Sequence, residues 1–307
     1  MMANIILGYR QDKDKRGNPI VTYATSTHQA LLDLGHHVEP IGEGHKYTCF
    51  DDMFDGTIRQ ADLFLDIECG RNSKGQLVFQ FAERRAPIPS AIRFIDDHGF
   101  STLHKRVARN YDHVFFAVYA KRDLFTHHKS VHWSPNASDV KYFDKACQLD
   151  EHDSRPIDVG FFGSKGGIDR ADILKEVCLN HNWTCDIREI GKNGQRWPRT
   201  AEAMARCKVL FNHGQKHDGP NQRVIESMLM NRPLLTDRDA ADGMSLLFQE
   251  GEHYLAYESK AELANNLEWC LREPSLANSM AARAYELVKE KHQVKHRVKQ
   301  ILEVCLG

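Results

Sequence analysis

Short apolar runs closed by turn residues recur along the chain, separated by stretches whose apolar positions fall at helical spacing. Asn4–Gly8 (NIILG) predicts a buried strand that opens into a polar loop over Tyr9–Pro19. Tyr23–Leu34 predicts a helix closed by Gly35 at the C′ position, and His37–Ile41 the next strand. Further strands are expected at Leu63–Ile67, Ile88–Asp96, His113–Val118 and Ser130–Trp133. Helices are expected over Ser101–Tyr111 and from Tyr119 to about His127. Alternating strands and helices of this kind build a doubly wound α/β domain, whose ligands sit beyond the carboxyl ends of the strands. Gly8–Arg10, Glu68–Gly70, Asp96–His98 and Ser134–Asn136 then share one rim.

Asp139–Pro156 is polar and without period, and reads as a linker. The pattern then restarts: strand Ile157–Phe162, a glycine-bearing loop Gly163–Arg170, helix Ala171–Asn180, strand Thr184–Ile190, helix Thr200–Cys207, strand Val209–Asn212. A helix beginning at Asn221 or at Gly219–Pro220 and ending at Asn231 leads to the strand Pro233–Thr236. Tyr254–Ala256 suits a last short strand. Helices Ala261–Arg272, Ser275–Lys291 and Val294–Leu306 close the chain, the first broken by Pro274. These elements imply an N-terminal domain over 1–145 and a second over 146–307, each long enough to bury a core, with the last helix free to cross back to the first.

Composition narrows the partners. Lys and Arg total 41 against 42 for Asp and Glu, so no global charge draws the chain to nucleic acid or acidic membranes. Contact with DNA would need a local patch, and basic clusters occur at Arg10–Arg16, Arg84–Arg85 and His104–Arg109. No run approaches the ~18 apolar residues of a membrane span. The start, MMANIILGYRQDKDKR, carries charge after its apolar run, unlike a signal peptide. The 8 cysteines form no CxxC pair, which fits reduced thiols in a cytoplasmic protein. HExxH, zinc spacings, GxSxG and GxxxxGK[ST] are absent, which argues against metalloprotease, serine hydrolase and P-loop chemistry.

The candidate chemistry gathers between Val209 and Asp237. Asp218, Asn221, Arg223 and Glu226 crowd the mouth where a strand gives way to a helix. A packing helix needs none of them. A carboxylate such as Glu226 accepts two hydroxyls at once, as a ribose offers; an acid in a first helical turn is equally favoured by the helix dipole. Asp218 suits a sugar contact or a turn before Gly219–Pro220. Arg223 suits a phosphate clamp or, three residues before Glu226, its structural partner. Lys165 and Arg170, with Gly163, form a loop at a helix N-terminus that suits a diphosphate, although Lys165 also reads as a solvated base. His98, beside Asp96–Asp97 at a strand end, faces the same rim, as does Asn136. Asp237–Arg238–Asp239 and Asp12–Lys13–Asp14 have the spacing of a divalent-metal motif, which arises readily by chance.

Several segments together resemble one family. They are Gly160–Gly163 (GFFG) with Arg170, Asp218–Glu226 (DGPNQRVIE), Asn231–Asp237 (NRPLLTD), Phe94–His98 (FIDDH), Tyr111–Phe116 (YDHVFF) and Trp133–Ala137 (WSPNA). In this order they resemble the GT-B glycosyltransferases of the group-1 superfamily, and within it the branch that includes CgeB-like spore maturation proteins. The likeness spans most of residues 88–300. It implies two Rossmann-like doubly wound domains facing a cleft, with C-terminal helices, the second domain binding the donor. It implies a ribose contact for Glu226, donor binding by Gly163, Lys165, Arg170, Asn221 and Arg223, and catalytic placement for Asp97, His98 and Asp218. Asp218 stands where the superfamily usually has a glutamate, a departure that bears on the sugar contact. Lys and Arg replace a metal ion in this class, so neither metal nor cofactor is expected. The implied reaction is sugar transfer from a nucleotide-diphosphate sugar, a UDP-sugar first, with retention, to a hydroxyl acceptor. A small molecule, a protein, a polysaccharide precursor or a hydroxymethylated DNA base all fit as acceptor. A sugar-nucleotide epimerase and a non-catalytic nucleotide-sugar or nucleic-acid binding protein are the rival classes.

Overall fold

The computed structural model describes residues 2–13, 17, 19–53, 60–67, 85–95, 101–143, 154–163, 171–189, 197–214, 220–238 and 243–307. The chain divides into two compact units, Met1–Pro135 with Val294–Gly307, and Asn136–Gln293.

In the first unit the apolar runs pair as parallel strands: β1 (Asn4–Gly8), β2 (His37–Ile41), β3 (Leu63–Ile67), β4 (Ser90–Phe94), β5 (His113–Phe116) and β6 (Val131–Trp133). They form one six-stranded sheet in the order β2-β1-β3-β4-β5-β6. β3 and β4 are buried along their whole length, as a strand covered on both faces must be. Helix α1 (Tyr23–Asp33) starts at a Thr22–Thr25 capping box, which satisfies two otherwise orphaned N–H groups. It ends where Gly35 and His36 turn their N–H groups back to the carbonyls of Leu32 and Leu31.

Two expectations fail here. The helix foreseen over Ser101–Tyr111 stops at Ala108, giving α2 (Ser101–Ala108); Asn110 and Tyr111 turn back to the carbonyls of Val107 and Ala108. The segment after β5 forms a 3₁₀ turn over Tyr119–Phe125, because Phe125 is its only buried side chain and no apolar face supports a longer helix. The basic cluster His104–Arg109 also splits. His104 is fully buried and stacks on Phe94 at 4.2 Å, leaving Lys105, Arg106 and Arg109 exposed. Arg85 is ion-paired with Asp112.

The second unit holds β7 (Ile157–Gly163), β8 (Cys185–Glu189), β9 (Cys207–Asn212), β10 (Leu234–Asp237) and β11 (Leu255–Tyr257) in a parallel sheet ordered β11-β10-β9-β7-β8. Its helices are α3 (Asp172–His181), α4 (Trp197–Ala205), α5 (Gln222–Leu229), α6 (Lys260–Arg272) and α7 (Pro274–Lys291). Pro274 starts α7 at a position where its missing N–H costs nothing. Cys207, expected to end a helix, instead begins β9 opposite Ile157. Its sulfur fills the space beside Gly160, where an added Cβ would lie 2.5 Å from it and 2.6 Å from the Phe162 ring. Gly160 is therefore a close-packing glycine. Asp158 on β7 accepts from Lys208 on β9 at 2.9 Å and from Thr184 before β8, tying three neighbouring strands together.

The last helix, α8 (Val294–Leu306), belongs to the first unit, where it packs on α1 and β4. There two buried arginines hold the chain leaving β6. Arg93 donates to the carbonyls of Ser134 (3.0 Å) and Pro135 (3.3 Å), and lies 3.9 Å above the Tyr23 ring. Arg297 donates to the Pro135 carbonyl at 2.9 Å, and Gln300 to that of Trp133 at 2.9 Å. Burial brings Arg297 down to about 10, Arg93's charge adding to the effect and Tyr23 opposing it. Among the described residues no helix is long and apolar enough to cross a membrane, and Cys49, Cys178, Cys185, Cys207, Cys270 and Cys305 are free thiols.

Candidate functional site

In the second sheet the chain steps from β7 to β8 on one side, then returns to β9 on the other. The reversal opens a crevice at the carboxyl ends of β7 and β9, where ligands of open α/β sheets bind. Gly163 ends β7 and Asn212 ends β9.

A ladder of neutral polar side chains organises this end of the sheet. Asn221 caps α5 in extended geometry, its oxygen accepting from the Val224 N–H at 3.3 Å. Its amide nitrogen donates to Asn212 Oδ1 at 3.1 Å, and Asn212 Nδ2 donates to Thr236 Oγ1 at 2.9 Å. One chain of bonds thus joins the helix start to the ends of β9 and β10. The Asp237 carboxylate accepts the Gly214 N–H at 2.8 Å, and the Pro220 carbonyl accepts from Asn136 Nδ2 at 3.4 Å. His213 Nδ1 lies 2.7 Å from the Tyr257 hydroxyl. Burial, and then the charge of Asp237, pushes the Tyr257 phenol far up, so it remains a neutral donor.

Four of the residues expected at the site are described: Gly163 at the end of β7, and Asn221, Arg223 and Glu226 at the start of α5 and on it. Asn221 is the helix cap, as its type and position suggest. Arg223, on the first turn of α5, places its guanidinium 4.8 Å from the centre of the Phe161 ring. Its Nη1 stands 2.8 Å from the place a Cβ on Gly163 would occupy, so any larger residue at 163 would displace the guanidinium or the Phe161 ring. Glu226, one turn further along the helix, is 5% exposed. A carboxylate and a guanidinium on one helix can accept a pair of hydroxyls and donate to a phosphate. Lys165, Arg170 and Asp218, and Asp97 and His98 of the first unit, lie outside the described residues.

Of the ladder, Thr236 falls within the Asn231–Asp237 segment, whereas Asn212, and His213 and Tyr257 beside it, carry no motif of their own. An amide ending a buried apolar run, as in Val209–Leu210–Phe211–Asn212, is the signal that marks Asn212. Of the Asp237–Arg238–Asp239 triplet, Arg238 is ion-paired with Glu250, Glu258 and Glu262, Asp237 holds the Gly214 N–H, and Asp239 lies outside the described residues.

The first sheet has its own reversal, between β1 and β3. At that end Tyr9 follows β1 directly, its hydroxyl 2.9 Å from His28 Nδ1 on α1 and its ring 4.4 Å, edge-on, from His45. Asp66, fully buried in β3, accepts from the Tyr111 hydroxyl at 2.5 Å.

Residues 170–303 match a family model described as glycosyl transferase-like. No curated protein matches the sequence. Among solved structures, the chain is similar to sucrose-phosphate synthase from Thermosynechococcus elongatus, at 12% identity over 98% of both chains with a TM-score of 0.63. It is similar to HepE from Anabaena, solved in complex with UDP and glucose, at 13% identity over 99% of this chain and 100% of that one, with a TM-score of 0.61. It is also similar to an α-glucosyltransferase in complex with UDP and a 13-mer DNA containing an HMU base, at 9% identity over 100% of both chains, with a TM-score of 0.63. The two parallel α/β sheets and C-terminal helices are those of the GT-B fold.

Proposed function

We propose that the protein is a glycosyltransferase that moves a sugar from a nucleotide-diphosphate sugar, a UDP-sugar first among them, to a hydroxyl acceptor. The observation that carries this reading is the placement of Glu226 and Arg223 on α5, at the carboxyl ends of β7 and β9, with Arg223 against Gly163. The match of residues 170–303 to a glycosyl transferase-like family supports it, as do HepE bound to UDP and glucose and the α-glucosyltransferase bound to UDP.

In this reading Glu226 accepts both ribose hydroxyls, and the Asn221–Asn212–Thr236 ladder holds the helix that carries it. Arg223, with Lys165 and Arg170, neutralises the diphosphate. The bond from the anomeric carbon to the diphosphate breaks, its electron pair leaving on the nucleotide, and the acceptor oxygen forms the new bond as its proton departs. Cations aimed at the departing diphosphate meet the main electrostatic demand of that step. The reaction needs no metal ion in this reading, Lys165, Arg170 and Arg223 taking the place of one at the diphosphate. Asp97, His98 and Asp218 supply acceptor and sugar contacts, retention is the expected outcome, and the branch assignment to CgeB-like proteins rests on the quoted segments alone. A hydroxymethylated DNA base is the second acceptor reading, favoured by exposed Lys105, Arg106 and Arg109 and by the DNA in the α-glucosyltransferase complex.

A ligand that binds only the folded state raises its melting temperature by mass action. UDP-glucose and related nucleotide-diphosphate sugars at about 100 times Kd are expected to add about 2.7 kcal/mol, and Glu226→Ala to abolish the shift. A screen in which no nucleotide-diphosphate sugar moves the melting temperature would overturn the reading.

A further inference from the structure

The outer face of α2 takes no part in the donor site. Thr102, Lys105, Arg106 and Arg109 stand at i, i+3, i+4 and i+7, which sets them on one side of the helix, and all four are exposed. The opposite side, His104, Val107 and Ala108, is buried. A second basic segment is fastened beside the first. Phe125, at the end of the 3₁₀ turn, and His104 of α2 both stack on Phe94 of β4, at 5.3 Å and 4.2 Å, and the turn packs on α2. His128 Nε2 donates to the Tyr111 carbonyl at 2.9 Å, which ties the loop before β6 to the chain leaving α2. Turn and loop thereby carry Lys121, Arg122 and Lys129 beside the α2 stripe. The helix leaves the carboxyl end of β4 and returns to the amino end of β5. Arg109, and Lys129 just before β6, therefore lie toward the amino ends of the strands, away from the end where ligands of open sheets bind.

This face carries charge that the protein does not balance. From Ser101 to Trp133 there are six Lys and Arg against two acids, Asp112 and Asp123, in a chain whose net charge is -1. Asp112 is taken by Arg85 and Ser90. Among the described residues, Lys105, Arg106, Arg109, Lys121 and Lys129 make no ion pair. On the second unit, by contrast, Lys175, Lys260 and Arg272 are paired with Asp172, Glu176 and Glu268. Like charges one turn apart, as at Lys105 and Arg109, weaken a helix unless a counter-charge arrives from outside.

Three features select duplex nucleic acid among polyanions. Its phosphates, one per ~1.7 Å of axis, offer a continuous anionic surface to a face of this width. Among the described residues no large apolar side chain is exposed here, so nothing on this face would enter an acyl layer. Tyr119 and Trp133 are not a platform for the bases of a single strand. They meet edge-on at 4.8 Å, Arg122 covers the Tyr119 ring, and the Trp133 indole N–H is spent on the Ala117 carbonyl. We propose that the face formed by α2 and the segment 119–129 binds the phosphate backbone of duplex nucleic acid without reading its sequence. This goes beyond the glycosyl-transfer reading and does not rest on it, since neither a donor nor an acceptor group is involved.

The test titrates the full chain into a labelled duplex oligonucleotide of mixed sequence, read by fluorescence anisotropy with no nucleotide sugar present. With about four phosphates engaged, affinity is expected to fall about 100-fold between about 50 and 200 mM salt. The triple variant Lys105→Gln, Arg106→Gln, Arg109→Gln is expected to bind about tenfold more weakly or worse, and to lower the salt slope by about 3. Lys175→Gln, Lys260→Gln, Arg272→Gln removes the same charge from the second unit and is expected to leave binding unchanged. Both variants alter exposed side chains, so each is expected to keep the melting temperature to within a few degrees, about the effect of ordinary surface changes. Absence of binding at about 50 mM salt, equal loss in the two variants, or equal affinity for a single strand, for poly-L-glutamate or for phosphatidylserine vesicles would each overturn the inference. A nucleotide-sugar screen without a melting shift would overturn the transfer reading and leave this one standing.

Discussion

The two units fix the chain leaving their strands by opposite means. In the first, charge does it: buried Arg93 and Arg297 hold the carbonyls of Ser134 and Pro135 after β6. In the second, neutral groups do it: the amides of Asn212 and Asn221 and the hydroxyl of Thr236 link β9, β10 and α5. Each neutral bond contributes about 1 kcal/mol, whereas a hydrogen bond to a charged group contributes about 1.5–3 kcal/mol and leaves a costly orphan when broken. The first lock is strong and unforgiving. The second is a sum of small terms that leaves the cap of α5 satisfied without any buried charge.

The sharpest way to break the comparison is to remove the charged lock. Arg93→Ala takes away a fully buried guanidinium, its two carbonyl bonds and its contact with the Tyr23 ring. It is expected to destabilise the first unit by about 3 kcal/mol, read as a lower urea midpoint with hydrogen exchange rising first in β4, β6 and α8. An effect under about 1 kcal/mol would show that charge is not what holds that segment. The neutral lock gives the next effect. Asn221→Ala loses both the cap of α5 and the bond to Asn212, for about 1–2 kcal/mol, with exchange rising at Val224 and through the first turn of α5. A spread of that exchange into β7 and β8 would mean the ladder supports the whole sheet rather than the site alone.

How much of this was legible in the sequence also differs between the units. β1, β2, β3 and α8 fall where their apolar runs and caps place them, because a buried parallel strand needs an unbroken run and both its ends are punctuated. Tyr119–Phe125 was misread since propensity without an apolar face does not hold a helix against 3₁₀ closure. Cys207 was misread because its place depends on Gly160, 47 positions earlier by subtraction of the residue numbers, leaving room for its sulfur. At the start of α5 the cap Asn221 was legible from helix-start chemistry. The ladder was not, because Asn212 and Thr236 acquire meaning only when β9 and β10 lie side by side.

The smallest expected effect concerns pH, and it sets the two units apart without any mutation. In the first unit burial lowers the pKa of His28, His36, His45 and His132, and neighbouring charges add to it at His36, His45 and His132. A folded value below the ordinary 6.5 means that the unfolded chain takes up these protons first. The stability they contribute is complete above 6.5 and drains away as pH falls from there towards the lowered values. In the second unit burial pushes the Asp158 carboxyl up, but its bonds to Lys208 and Thr184 and the Lys208 charge outweigh that, and the net shift is down. Its contribution stands above 3.8 and is lost only as pH falls below that value. Between pH 7.5 and 5, therefore, exchange in β1, α1 and β6 should quicken while exchange at the β7–β9 pairing tied by Asp158 and Lys208 stays level. Parallel loss in both units over that interval would mean that the histidines of the first unit do not govern its response. Unequal loss would locate the acid-sensitive half of the molecule at the histidine-bearing end of the first sheet.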